Sequence, residues 1–233
     1  MKNNRQIILA YPCATSGNFF ASLIQLIISD FDPDKITETG SLHAYTKPRP
    51  YKSIVLNSQD SNDDIEHEWP QLHDQLELDQ SSMMIGHFRA LNAVHQYNPD
   101  IKIFYITVDN NQLAVQESNF IRKIMLPNWS ERWYNIYRSD HWPTFDQLPP
   151  VLNNINQLPV QVQNGILGIN RNYILNWRYD VPSAACELPL SLLATPDILY
   201  NTIINALNVR SDVWLKKHSI EFINSYVRAN YEN

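Results

Sequence analysis

The sequence predicts an α/β domain of three layers (α/β/α), with helices on both faces of a mostly parallel central sheet. Three observations predict it. Short apolar runs recur without polar alternation, the pattern of strands buried on both faces. Stretches of helical spacing separate them, giving the coarse order β-α-β-α-β-α-β-α. The chain has 233 residues, 44% of them apolar, enough for one such domain over residues 1–233 with a sizeable core.

The elements follow in order. Residues 6–11 are apolar and end at Pro12, which predicts a short buried strand. Residues 12–18 are small and turn-rich. Residues 19–29 are apolar almost all round, which predicts a buried helix, with Ser16 placed to cap it. Residues 31–52 are irregular, with Pro33, Pro48 and Pro50, and their second half is basic and aromatic. A second strand is predicted over 53–57. Residues 60–79 hold eight acidic residues and no lysine or arginine, and Ile65, Trp69, Leu72 and Leu76 recur at helical spacing. That pattern predicts an amphipathic helix with a solvated acidic face.

Residues 83–86 read as a short strand running into His87, and 90–97 as a short helix ended by Asn98-Pro99. Residues 101–108 are β-branched and aromatic throughout and predict the clearest strand. A helix over 112–125 is closed by Pro127. Residues 128–180 are rich in Trp, Tyr, Pro and Asn and show helical patches without clear limits. A last strand is predicted over 187–193, and helices over 197–207 and 212–231.

Composition narrows the function classes. A net charge of −6 argues against a general nucleic-acid binder. No apolar run approaches the ~18 residues a membrane helix needs. Two cysteines, Cys13 and Cys186, build neither a disulfide framework nor a four-thiolate zinc site. Their usage fits a reducing, cytoplasmic compartment.

The chemistry of the fold points to one loop. A strand that breaks into a loop and opens a helix directs free N–H groups and the helix dipole at one spot, which favours phosphate. Here that spot is Thr15, Ser16, Gly17 and Asn18. Gly17 permits close approach of the backbone, and Thr15 and Ser16 add hydroxyl donors. The pattern G-x-x-x-x-G-K-[ST] is absent.

Taken with later segments, the loop resembles that of the sulfotransferase family. Tyr11-Pro12 through Ser16-Gly17 to Phe19-Phe20 resembles the family's opening Y-P-K-S-G segment. Residues 84–90 around His87 resemble its strand-end T-H-[LF]-P, and 101–108 its following strand. Glu117-Ser118-Asn119-Phe120 sits where the family has an aromatic helix segment, and 188–209 resembles its late strand, turn and helix. The resemblance implies a P-loop NTPase-like fold that holds the sulfate donor 3′-phosphoadenosine 5′-phosphosulfate (PAPS). It implies transfer of a sulfuryl group to a hydroxyl of a carbohydrate or small-molecule acceptor, without a metal. Residues 31–52 and 128–180 would then be variable acceptor-side segments.

Residue by residue, the resemblance implies donor binding by Thr15, Ser16, Gly17, Asn18 and Phe19, with His87 as general base. Phe19 or Phe20 is the candidate to stack on adenine, the alternative for each being a core residue. Two family cations are replaced: Cys13 and Ala14 stand where the loop lysine would be, and Val108, Asp109 and Asn110 where a phosphate-binding arginine would be. Arg89, close to His87, is the candidate cation for the reaction. Ser118 and Arg122, four residues apart on a predicted helix, are the candidate replacement phosphate pair. Lys47, Arg49 and Lys52 are candidates for the pocket mouth. His67 and His73 diverge on their predicted helix and do not form a metal site. Two other classes stay open: a P-loop small-molecule kinase, and a non-catalytic interaction protein that kept the fold and lost the donor site.

Overall fold

The computed structural model describes residues 6–12, 15–28, 52–54, 65–78 and 83–231. Cys13, Ala14, Lys47 and Arg49 lie outside the described residues, and of Lys52 only the backbone is described. The chain divides into two compact units, Met1–Thr107 with Arg178–Asn233, and Val108–Trp177.

The first unit holds a five-stranded sheet: β1 (Ile7–Ala10), β2 (Lys52–Ile54), β3 (Met83–Gly86), β4 (Lys102–Thr107) and β5 (Cys186–Pro189). Their order is β2-β3-β1-β4-β5 and every pairing is parallel. All four residues of β1 and of β3 are buried, as continuous apolar runs in a sheet covered on both faces require. The unit's helices are α1 (Gly17–Ile28), α2 (Ile65–Leu78), α3 (Leu91–Tyr97), α7 (Pro196–Leu207) and α8 (Val213–Tyr231).

Alternate residues of a strand face opposite sides. On one side Ile8, Ala10, Met84 and Ile103 pack with Leu72 and Leu76 of α2 and Leu91 and Val94 of α3. On the other lies α1, whose Gln25 Nε2 is 3.3 Å from Met83 Sδ. The outer side of α1 is covered in turn by α8: Phe19 stacks on Tyr226 with centroids 4.0 Å apart and on Phe222 at 5.1 Å. That second cover explains a helix apolar nearly all round. The connection out of β1 therefore leaves on the α1 side, and those through α2 and α3 run on the opposite side. Adjacent strands whose connections leave on opposite sides open a crevice at their carboxyl ends, where ligands bind in such sheets. Here those strands are β1 and β3.

Two expected boundaries change. The last strand stops at Pro189 and passes into a 3₁₀ turn over Leu190–Ala194, because proline offers no N–H to continue a ladder. The second unit resolves residues 128–177 into α5 (Glu131–Tyr137), three-residue 3₁₀ turns and the long α6 (Val160–Asn176). Before them the predicted helix over 112–125 divides into α4 (Leu113–Phe120) and a π-helical turn, Ile121–Met125. Glu117 of α4 pairs with Arg171 of α6 at 2.6 Å. Among the described residues, no helix is long and apolar enough to cross a membrane.

Candidate functional site

The site is built at the carboxyl ends of β1 and β3. Ala10 and Gly86 are paired in register, so the next residues, Tyr11 and His87, emerge side by side. The Tyr11 N–H donates to the Gly86 carbonyl at 3.0 Å, which carries the pairing one residue past the strands. The rings of Tyr11 and His87 meet edge to face, centroids 4.7 Å apart.

His87 Nδ1 lies 2.7 Å from the Tyr11 carbonyl oxygen. A carbonyl oxygen only accepts, so Nδ1 carries the proton. In the neutral ring Nε2 is then left with a bare lone pair. Protein atoms crowd the ring although the residue as a whole is exposed. Their desolvation of the imidazolium lowers the pKa of His87 from its usual 6.5, and the bond to Tyr11 opposes this more weakly. His87 is accordingly neutral at pH 7, with an acceptor nitrogen available.

The segment after β3 is pinned from three directions. Phe88 is fully buried. Glu68 of α2 accepts from the Arg89 backbone N–H at 2.6 Å and from its Nε at 2.7 Å. Asp180 donates its N–H to the Arg89 carbonyl at 3.0 Å and accepts from Asn92 at 2.8 Å. Arg89, expected as the reaction's cation, is thus neutralised at its Nε by a carboxylate only 12% exposed. Arg89→Ala should destabilise the fold by about 2 kcal/mol, since it strands that carboxylate with one bond fewer. The urea midpoint measures this, and Glu68→Gln in the same chain should recover part of it.

The described residues between β1 and α1 are held from within the loop at Thr15 and from α8 at Ser16. Thr15 is fully buried and donates its hydroxyl to the Pro12 carbonyl at 2.7 Å. Ser16 adopts φ 64°, a left-handed conformation costly for a residue with a Cβ. Its carbonyl accepts the first helical bond, from Phe20 at 3.1 Å, as an N-cap does. Its Oγ accepts from Tyr226 of α8 at 2.7 Å. Tyr226→Phe keeps the stack on Phe19 and removes only that bond, so it should cost about 1 kcal/mol of stability, measurable by chemical denaturation.

Gly17 is needed for a different reason from the one expected. A Cβ at residue 17 would overlap the Tyr11 ring. The group that approaches this glycine closely is Tyr11. Asn18 is half-buried and its carbonyl accepts from Ser22 Oγ at 2.8 Å.

Phe19 corrects its sequence assignment: it is 1% exposed and its ring is packed against Phe222 and Tyr226, which leaves no face for adenine. Ser118 and Arg122 belong to the second unit and both are exposed. Arg122 lies in the π-helical turn, where the backbone bonds one residue further back, as in Leu126 N–H to the Ile121 carbonyl at 2.9 Å. The four-residue spacing that stacks side chains on an α-helix does not carry through such a turn. His73 makes its contacts with Trp69, Tyr97, Asp74 and Glu77 on the surface of α2 and α3.

Sequence reasoning missed Tyr179 and Tyr226 and gave Tyr11, the first residue of the quoted loop segment, no role of its own. The Tyr179 hydroxyl donates to the Ile106 carbonyl at 2.8 Å and lies 3.4 Å from that of Ala10, bridging the ends of β4 and β1. Nothing in the local sequence signals a partner for Tyr179 or Tyr226, since each reaches a residue far away along the chain. No family model, curated protein or solved structure matches the chain.

Proposed function

We propose that the chain is a group-transfer enzyme that moves a sulfuryl group from PAPS to a hydroxyl of a carbohydrate or small metabolite. One observation carries the reading. His87 presents a neutral, unprotonated Nε2 at the carboxyl edge of the sheet, next to the loop that opens α1. In this chemistry the acceptor oxygen bonds to sulfur as the sulfur–oxygen bond to the donor's phosphate breaks. His87 takes the hydroxyl proton at Nε2, and the bisphosphate leaves with its electron pair. Such transfers rely on positioning and charge stabilisation more than on covalent help from the protein.

Donor binding in this reading rests on the backbone. The N-terminus of a helix is the positive end of its dipole and favours an anion. At α1 it follows Ser16, whose left-handed backbone and hydroxyl bond to Tyr226 set the loop before a ligand arrives. The P-loop-like character of the fold is part of the same proposal, supported by a central β1 in a parallel sheet and by α1 opening a few residues after it.

A second reading, an interaction module without donor chemistry, is favoured by the engagement of Arg89 with Glu68 and by the Tyr11 ring against Gly17. A thermal-shift screen separates the two, and also the small-molecule kinase. Stabilisation by 3′,5′-adenosine bisphosphate supports sulfuryl transfer, ATP with Mg²⁺ the kinase, and no response to either the module. A ligand at 100 times its Kd should add about 2.7 kcal/mol of stability.

A further inference from the structure

We infer that Tyr11 is the positioning residue of His87, its carbonyl selecting the tautomer with the proton on Nδ1 and its ring, seated on Gly17, fixing where that carbonyl lies. The inference rests on reading His87 as the base, and it adds the reason the base nitrogen is Nε2. Two contacts made by one residue support it. The Tyr11 carbonyl is 2.7 Å from Nδ1, and the Tyr11 ring meets the imidazole with centroids 4.7 Å apart. The same ring fills the space that a Cβ at residue 17 would need. Its own backbone is fixed at the strand end by the bond to Gly86.

The arrangement links the base to the loop through one side chain. A methyl group at residue 17 must push the Tyr11 ring away, because both cannot occupy that space. The displaced ring then no longer braces the imidazole, and the Nδ1 bond loses its alignment. With the Tyr11 ring removed, the same methyl group meets nothing from it. Gly17→Ala should therefore act on His87 in the presence of the Tyr11 ring and be silent in its absence, a non-additive pair.

The test is nitrogen NMR of the full chain carrying ¹⁵N-labelled histidine, with the His87 signals assigned by their loss in His87→Asn. In the parent protein Nδ1 should be protonated and Nε2 bare. Gly17→Ala should raise the share of the Nε2–H tautomer about fivefold, the ratio a hydrogen bond of ordinary net strength sets. Gly17→Ala combined with Tyr11→Ala should match Tyr11→Ala alone. A parent proton on Nε2, a tautomer ratio unmoved by Gly17→Ala, or an equal effect of that change without the Tyr11 ring would each overturn the inference. If Gly17→Ala does not fold, Tyr11→Ala against the parent decides: a ratio unchanged there overturns it, and a rise of several-fold supports it. The tautomer is read without nucleotide or acceptor, so loss of the sulfuryl-transfer reading through the thermal-shift screen leaves this result to stand or fall separately.

Discussion

Replacing His87 by asparagine should leave a folded, nucleotide-competent protein whose transfer rate is lower by ~10²–10⁴, the usual contribution of a general base. Asparagine keeps an N–H donor for the Tyr11 carbonyl and has no proton acceptor of comparable basicity. Equilibrium binding of 3′,5′-adenosine bisphosphate should change little, and the loss should fall on the rate. The parent's pH profile supplies a second check. Desolvation of its ring by the surrounding protein atoms holds the His87 pKa below 6.5, so activity should be on its plateau at neutral pH and fall only as the solution becomes acid enough to protonate the ring. The same shift couples stability to pH. An unfolded chain takes up this proton near pH 6.5 and the native one only at lower pH, so native stability should decline as pH falls below about 6.5. His87→Asn should remove that part of the decline. A variant with parental turnover would end the assignment of His87.

Gly17→Val should be the most disruptive single change in the loop. A valine side chain enters the volume of the Tyr11 ring with three heavy atoms, and the loop has little freedom to yield. Thr15 is buried and bonded to Pro12, and Ser16 is bonded to Tyr226. Overpacking of this kind costs about 1–3 kcal/mol, and a β-branched residue at the start of a helix adds to it. Urea denaturation should show the midpoint fall, and phosphate-bearing ligands should no longer shift the melting temperature. Tyr11→Ala in the same chain should return most of the stability. No rescue would mean that Gly17 serves something other than the seat of that ring.

Much of the fold was legible because it rests on local pattern. β1, β3, β4, α1, α7 and α8 all carry apolar periodicity or continuous apolar runs that declare their burial. α6 was not legible. Its buried residues, Val162, Ile166, Asn170 and Ile174, include an asparagine, while Ile169 and Tyr173 on the same helix are exposed. Gly165, which seats the Trp142 ring, and Gly168 blur the helical signal further. The candidate site divides in the same way. His87 beside the loop follows from strand polarity and neighbourhood, which sequence order suggested. The engagement of Arg89 with Glu68 does not: Glu68 is one of eight acids that read as a solvated face, and its partner is 21 residues away. Phe19 was ambiguous between core and ligand contact, and only the placement of α8 over α1 decides it.

The bond from Tyr226 to Ser16 joins residues 210 positions apart. The hydroxyl that holds the loop's left-handed residue is translated long after the loop itself. β1 likewise waits for β3 and β4 before it has either neighbour in the sheet. A nascent chain halted before α8 would carry the strands and the histidine, with one face of α1 uncovered and the loop untethered. The final geometry of the loop therefore depends on α8 docking over α1, and the strands alone do not set it.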